Sequence, residues 1–154
     1  MSTNGCEGPV LSTVTLTRAT PLTFVVRGTP GPQGSKRHVG NGRLIESSRK
    51  VKPWREAVRA AATALIAPYG DDWQPLDVPL VARMVFALRR PQRPKASRPD
   101  RYPDLSKLVR STEDALTGVL WTDDARVVEY DRLAKIYVPE GLDGPGALIT
   151  VWEA

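Results

Sequence analysis

The stretch 102–130 (YPDLSKLVRSTEDALTGVLWTDDARVVEY) constrains the chain more than any other. From Leu105 to Thr117 its apolar residues recur at helical spacing, and Gly118 stands where a helix should stop. At about 100° per residue, Leu105, Leu108, Val109, Ala115 and Leu116 gather on one side. Lys107, Arg110, Ser111 and Asp114 fall opposite, with Asp104 at the edge. The spacing therefore predicts a helix packed on a sheet with a charged face outward. Asp104 precedes the helix, and Asp123-Asp124 precede a strand pattern, ARVVEYDRLAKIYVP. Carboxylates at both ends of one helix–strand unit suggest a cradle for a divalent metal. Each also has an ordinary explanation: Asp104 as an N-cap, Asp123-Asp124 as a turn, and Asp114 as an i, i+4 partner of Arg110.

The other elements follow from the same kind of pattern. LTFVVRG, from Leu22 to Gly28, alternates as a strand does. Asn41-Gly42 is a hairpin signal, with arms expected over Lys36–Val39 and Arg43–Glu46. Gly34-Ser35-Lys36 lacks the order and the following helix of a phosphate loop, which argues against a nucleotide cofactor. Pro53 suits a first helical turn, and Trp54, Val58, Ala61 and Leu65 form a core stripe, with Arg55, Glu56 and Arg59 outside. Pro68 to Pro79 reads as a turn in which Asp71-Asp72 are solvated. PLVARMVFALRRP has so few polar interruptions that it belongs in the interior of a sheet. Pro139 to Gly146 turns the chain, and ALITVWE reads as the closing strand of an antiparallel hairpin.

Composition narrows the class. At 154 residues, 41% hydrophobic and 25% charged, this is one globular domain, taken as residues 21–154 with a flexible N-terminal arm over 1–20, a stretch that an extra edge strand would also fit. With one cysteine (Cys6) and one histidine (His38), a disulfide is excluded and a Cys/His zinc site lacks ligands. Any metal would be held by oxygen, pointing to Mg²⁺ or Mn²⁺. No apolar run would span a membrane and the start does not read as a signal peptide, so a cytoplasmic setting is expected. The net charge of +5 favours a polyanionic partner, although a merely basic soluble protein has the same charge. Arg89, Arg90, Arg93, Lys95, Arg98 and Arg101 crowd a proline-rich loop directly before Asp104, where phosphate contacts are expected. Lys36 and Arg37, with His38 and Arg43, are further candidates for the DNA backbone, although a solvated turn explains them nearly as well.

The order and spacing of the blocks around Asp104, Asp114-Ala115-Leu116 and Asp123-Asp124 resemble the RusA family of Holliday-junction resolvases. GTPGPQGSKR resembles the opening of phage and prophage members. The resemblance implies a small α/β (α+β) domain, a mixed sheet carrying two main helices, assembled as a homodimer. It implies an endonuclease that nicks four-way junction DNA symmetrically with Mg²⁺ in recombination and repair. Carried over residue by residue, it makes Asp104, Asp123 and Asp124 metal ligands and catalytic residues, with Asp114 supporting. Arg110 stands where the family has a catalytic lysine, Ser106 where it has a second aspartate, and Lys107 where it has asparagine. Those departures leave open a junction- or duplex-binding protein with weak or lost catalysis. An RNA-binding module is a weaker third reading, since no aromatic stacking pattern supports it.

Overall fold

The run Leu80–Leu88 (β4) is apolar on both of its faces, and such a strand is stable only when neighbours cover both edges and both faces. In the computed structural model, which describes residues 16–34, 36–38, 44–46 and 49–154, β4 has that setting. On one edge it pairs antiparallel with β6 (Gly146–Glu153), and on the other it runs parallel to β5 (Val127–Tyr137). β6 also pairs antiparallel with β1 (Leu22–Arg27), so the four-stranded sheet has the order β1-β6-β4-β5. The mixed sheet agrees with the sequence reading, but one pairing does not. The final strand was expected to form a hairpin with the strand before it, and instead it inserts between β1 and β4. β5 is parallel to β4, and the covering of β4's second edge by β6 is what buries the most apolar strand.

A helix must connect two adjacent parallel strands, because the chain has to return the length of the sheet. That connection is α2 (Leu105–Leu116), reached from β4 through the loop 89–104. It packs beside α1 (Val51–Ile66) on one face of the sheet. From α1, Val51, Trp54, Val58 and Ala62 are buried, while Ala61 and Leu65 of the expected stripe are partly buried against the same core. α1 begins two residues before Pro53, which stays in the first turn where its missing N–H costs nothing. Phe24, Val26, Met84, Phe86, Ile149 and Val151 meet Leu108 and Leu116 beneath the helices. A satellite cluster of Val85, Ala87, Ala134 and Ile136 lies on the other sheet face.

β2 (Lys36–His38) and β3 (Leu44–Glu46) form the expected hairpin, although the Asn41-Gly42 turn and the side chains of Lys36 and Arg37 fall outside the described residues. Of residues 1–20, those from 16 onward are described. Leu16 is buried, its N–H donates to Glu153 Oε2 at 3.1 Å, and its carbonyl accepts the Glu153 N–H at 3.0 Å.

Between the helices runs a polar seam. The indole N–H of Trp54 donates to Thr112 Oγ1 at 3.0 Å, and the Thr112 hydroxyl donates to the Leu108 carbonyl at 2.8 Å. Ser111, placed by periodicity on the outward face, is instead fully buried and donates to the Gly31 carbonyl at 2.6 Å. Gly31 is there because a Cβ would stand 2.1 Å from the Lys50 carbonyl oxygen and 2.9 Å from Trp54 Cβ. The Gln33 N–H continues the contact by donating to the Lys107 carbonyl at 2.9 Å. The loop after β1 thus occupies the surface that a simple helical wheel assigned to water. Replacing Thr112 with valine keeps its shape and strands the Trp54 N–H, so Thr112→Val should cost about 1–3 kcal/mol. Urea unfolding would read this as a lower midpoint at unchanged slope, and an unchanged midpoint would refute it.

Candidate functional site

The C-terminal end of α2 gathers the acidic side chains, and local structure explains why. Gly118 at φ 87° turns the chain out of the helix, as its sequence position predicts. Trp121 then folds back, fully buried, and its indole N–H donates to Asp124 Oδ1 at 3.2 Å. The Thr117 hydroxyl, from the residue capping α2, hydrogen-bonds the same oxygen. One oxygen of Asp124 is therefore held from two sides. Asp123 is occupied differently: its Oδ1 accepts the Ala125 N–H at 2.8 Å and caps the short 3-10 turn Asp124–Arg126 that leads into β5.

Asp114 lies one helical turn before Thr117, and its carboxylate adjoins that of Asp124. Its ion-pair partner is Arg55 of α1, with Arg55 Nη2 3.2 Å from Asp114 Oδ2. This corrects two sequence assignments, for Arg55 was placed on an outer face and Asp114 was paired with Arg110. Arg110 is exposed, and its charge acts on Asp114 more weakly than that of Arg55. The Arg55 guanidinium also hydrogen-bonds Gln33 Oε1, so the loop after β1 helps hold the arginine in place. Burial pushes the Asp114 carboxyl above the usual aspartate range, the Asp124 charge adds to the rise, and Arg55 opposes it.

Glu113 completes the cluster from the same helical turn. Burial raises its carboxyl above the usual glutamate range; the Tyr130 hydroxyl, donating to Glu113 Oε2 at 2.5 Å, opposes that rise, and the Asp124 and Asp114 charges add to it. Burial, followed by the hydrogen bond to Glu113, pushes the Tyr130 hydroxyl well above its ordinary value, so it stays a neutral donor. β5 carries one extra residue opposite Leu80/Val81 and another opposite Ala82/Arg83, irregularities that flank Tyr130.

Asp104 stands apart from this cluster. Its carbonyl accepts the Leu108 N–H at 3.0 Å, but its exposed carboxylate makes no capping hydrogen bond, so helix capping does not explain its side chain. The 12 residues of α2 separate it from the end where Asp124 sits, a distance of about 18 Å at about 1.5 Å per residue. Ser106 and Lys107 are exposed on the first turns, near Asp104. Arg89, Arg90, Arg93, Lys95, Arg98 and Arg101 are all exposed on the loop leading to it. Lys135 Nζ braces that loop by donating to the carbonyls of Arg101 and Pro103 at 2.8 and 2.9 Å. Among the described residues no three Asp, Glu, His or Cys side chains converge on a point that would hold a metal ion. The carboxylate oxygens of Asp114 and Asp124 suit a hard cation, but the described residues of one chain do not make a full ligand set around it.

A carboxyl that titrates above its unfolded value destabilises the fold once the unfolded form ionises. Glu113 thus contributes a penalty absent below the usual glutamate range and complete only above its raised native value. Glu113→Gln should raise the melting temperature at neutral pH and lose that advantage at pH values below the ordinary range. Equal melting temperatures of the two proteins at every pH would refute this origin of the shift.

A search of curated proteins finds no match. The family model of the endodeoxyribonuclease RusA matches residues 27–141, from the end of β1 to the turn after β5. The matched segment contains both helices, the parallel strand pair, the basic loop and every carboxylate of the α2 region. It covers well over half of the chain, and among the described residues no helix is long and apolar enough to cross a membrane. Acids at both ends of one crossover helix, a basic loop feeding into it and that match lead to one conclusion: the chain belongs to the RusA endodeoxyribonuclease family.

Proposed function

We propose that this protein resolves four-way DNA junctions by paired symmetric nicks, as a two-fold homodimer that uses Mg²⁺ or Mn²⁺. Family membership supports a nuclease acting on DNA. The observation that carries the finer reading is the separation of Asp104 from Asp124 along α2. Two copies related by a two-fold axis, with their α2 helices antiparallel, would bring Asp104 of the partner subunit to Asp124, and the reverse at the second site. Each site would then hold Asp124 with Asp123 and Asp114 in support, facing Asp104 across the interface. Bound there, a divalent ion would supply Lewis-acid charge and a more acidic water.

The remaining residues have roles that follow from their charge and position. Arg110 and Lys107 offset the charge of the scissile phosphate. Arginine stays protonated at neutral pH, so Arg110 holds charge and does not deliver a proton. The cations from Arg89 to Arg101, together with Lys36 and Arg37, hold the junction arms through backbone phosphates. Ser106 motivates the rival reading, a junction- or duplex-binding protein with weak catalysis, because it offers a hydroxyl where the family offers a carboxylate.

A labelled four-way junction with Mg²⁺ decides between them. The parent should give symmetric nicks, while Asp104→Asn and Asp124→Asn each abolish them. Mixing the two variants should restore nicking, since one site of the mixed dimer regains both aspartates; a mixture as inactive as its components would place the site within one protomer. Binding without nicks from the parent, in either metal, would support the rival.

Phosphate contacts give a second test. Replacing Arg93, Lys95 and Arg98 together with alanine should weaken binding to any DNA sequence and reduce the slope of log K against log salt by about 3. An unchanged slope would remove this loop from the DNA interface.

A further inference from the structure

Beside Asp104 the structure has a cleft of about 350 Å³ that phosphate contacts alone do not explain. Its lining joins three cations, Lys50, Arg89 and Arg101, to two aromatic rings, Tyr102 and Tyr137, with prolines between them. Among the described residues no acidic one lines it. Among the described residues Lys50 and Arg89 have no ion-pair partner, and Arg101 approaches only the exposed Asp100, at 3.8 Å.

The topology gives the cleft a second reason to bind. Leu88 and Tyr137 are register partners at the carboxyl ends of the parallel strands β4 and β5. Open α/β sheets hold their ligands outside the carboxyl ends of parallel strands, the end at which this cleft lies. The volume falls in the range of small-molecule sites, and the lining provides ring faces together with phosphate-binding charge. Stacked, paired bases inside a duplex cannot enter such a concavity, whereas an unstacked base with its flanking phosphates can.

We propose that this cleft takes one unpaired nucleotide of a DNA strand at the branch point, its base against Tyr102 and Tyr137 and its phosphates on Lys50, Arg89 and Arg101. It thereby recognises the interruption of base pairing that distinguishes a junction from a duplex. The inference deepens the proposed resolvase reading and rests on it for the identity of the DNA. Tyr102 is 65% exposed and Lys135 holds the backbone on both sides of it, so removing its ring leaves the fold intact.

The test is fluorescence anisotropy without divalent metal, using a duplex, a four-way junction with the same arm sequences, and an oligo-dT strand. Tyr102→Ala and Tyr137→Ala should weaken binding to the junction and the oligo-dT by about 5- to 100-fold and leave duplex binding unchanged. Tyr102→Phe, which keeps the ring, should restore it. Equal loss on all three probes, or no loss on any, would overturn the proposal. So would competition by free thymidine 5′-monophosphate as effective as that by the oligo-dT, which would make this a mononucleotide site. A parent that nicks junctions while Tyr102→Ala binds normally would sink the cleft alone. A parent that fails to nick while Tyr102→Ala loses oligo-dT binding would sink the resolvase reading and leave the cleft standing.

Discussion

The placement of α2 depends on a buried polar contact, the hydrogen bond from the Trp54 indole to Thr112, continued by Ser111 to the Gly31 carbonyl. Apolar packing alone tolerates small slides of one helix past another, because hydrophobic contact is not directional. Directional bonds in a buried setting remove that freedom, since any slide leaves a donor without an acceptor. One element held in this way sets the separation between its two acidic ends. The basic loop before it and the turn after it take their positions from the same helix.

The cluster at the C-terminal end of α2 shows how an acidic site can exist inside a folded chain. Three carboxylates adjoin there, and their repulsion is opposed by Arg55, by the Tyr130 hydroxyl and by the donors on Asp124. Burial raises the Glu113 and Asp114 carboxyls first, and the neighbouring negative charges add to that rise. Such a site retains an attraction for added positive charge, whether from a metal or from a cationic side chain. The opposite end of the helix has the reverse balance, with Asp104 set among cations. A crossover helix with opposite electrostatic surroundings at its ends gives the molecule a direction along which DNA can be oriented.

Much of this was legible in the sequence, and the failures have physical causes. Periodicity located both helices and the main strands, because burial of one face leaves a repeating trace along the chain. The interior place of β4 was readable from its uninterrupted apolar run. The partner of β6 was not, since pairing order depends on which edges the rest of the sheet leaves open. Ser111 was misplaced because a helical wheel knows only the helix, and the loop around Gly31 covers that side. Arg55, Glu113 and Tyr130 were missed at the site because their contacts join residues 17 to 59 positions apart, and no local pattern records such distances. Asp104 and Asp124 stood out by their places at the two ends of the helix, and family spacing gave them a catalytic role, but neither signal says whether they meet within one chain.

The insertion of β6 between β1 and β4 carries a consequence for how the molecule comes into being. Among the described residues the strand at 22–27 finds its sheet partner in residues 146–151, so it must wait for that late segment. Contacts spanning that much chain form slowly, since a long loop must close before they repay its entropy. On the ribosome, β1 and one edge of β4 stay open until the segment beyond residue 145 has emerged. A chain interrupted earlier leaves the sheet in two unpaired parts, and its acidic helix has no complete floor to rest on. The sheet is thus completed only once residues 146–153 have been made, and a product cut short before them would fail as a fold.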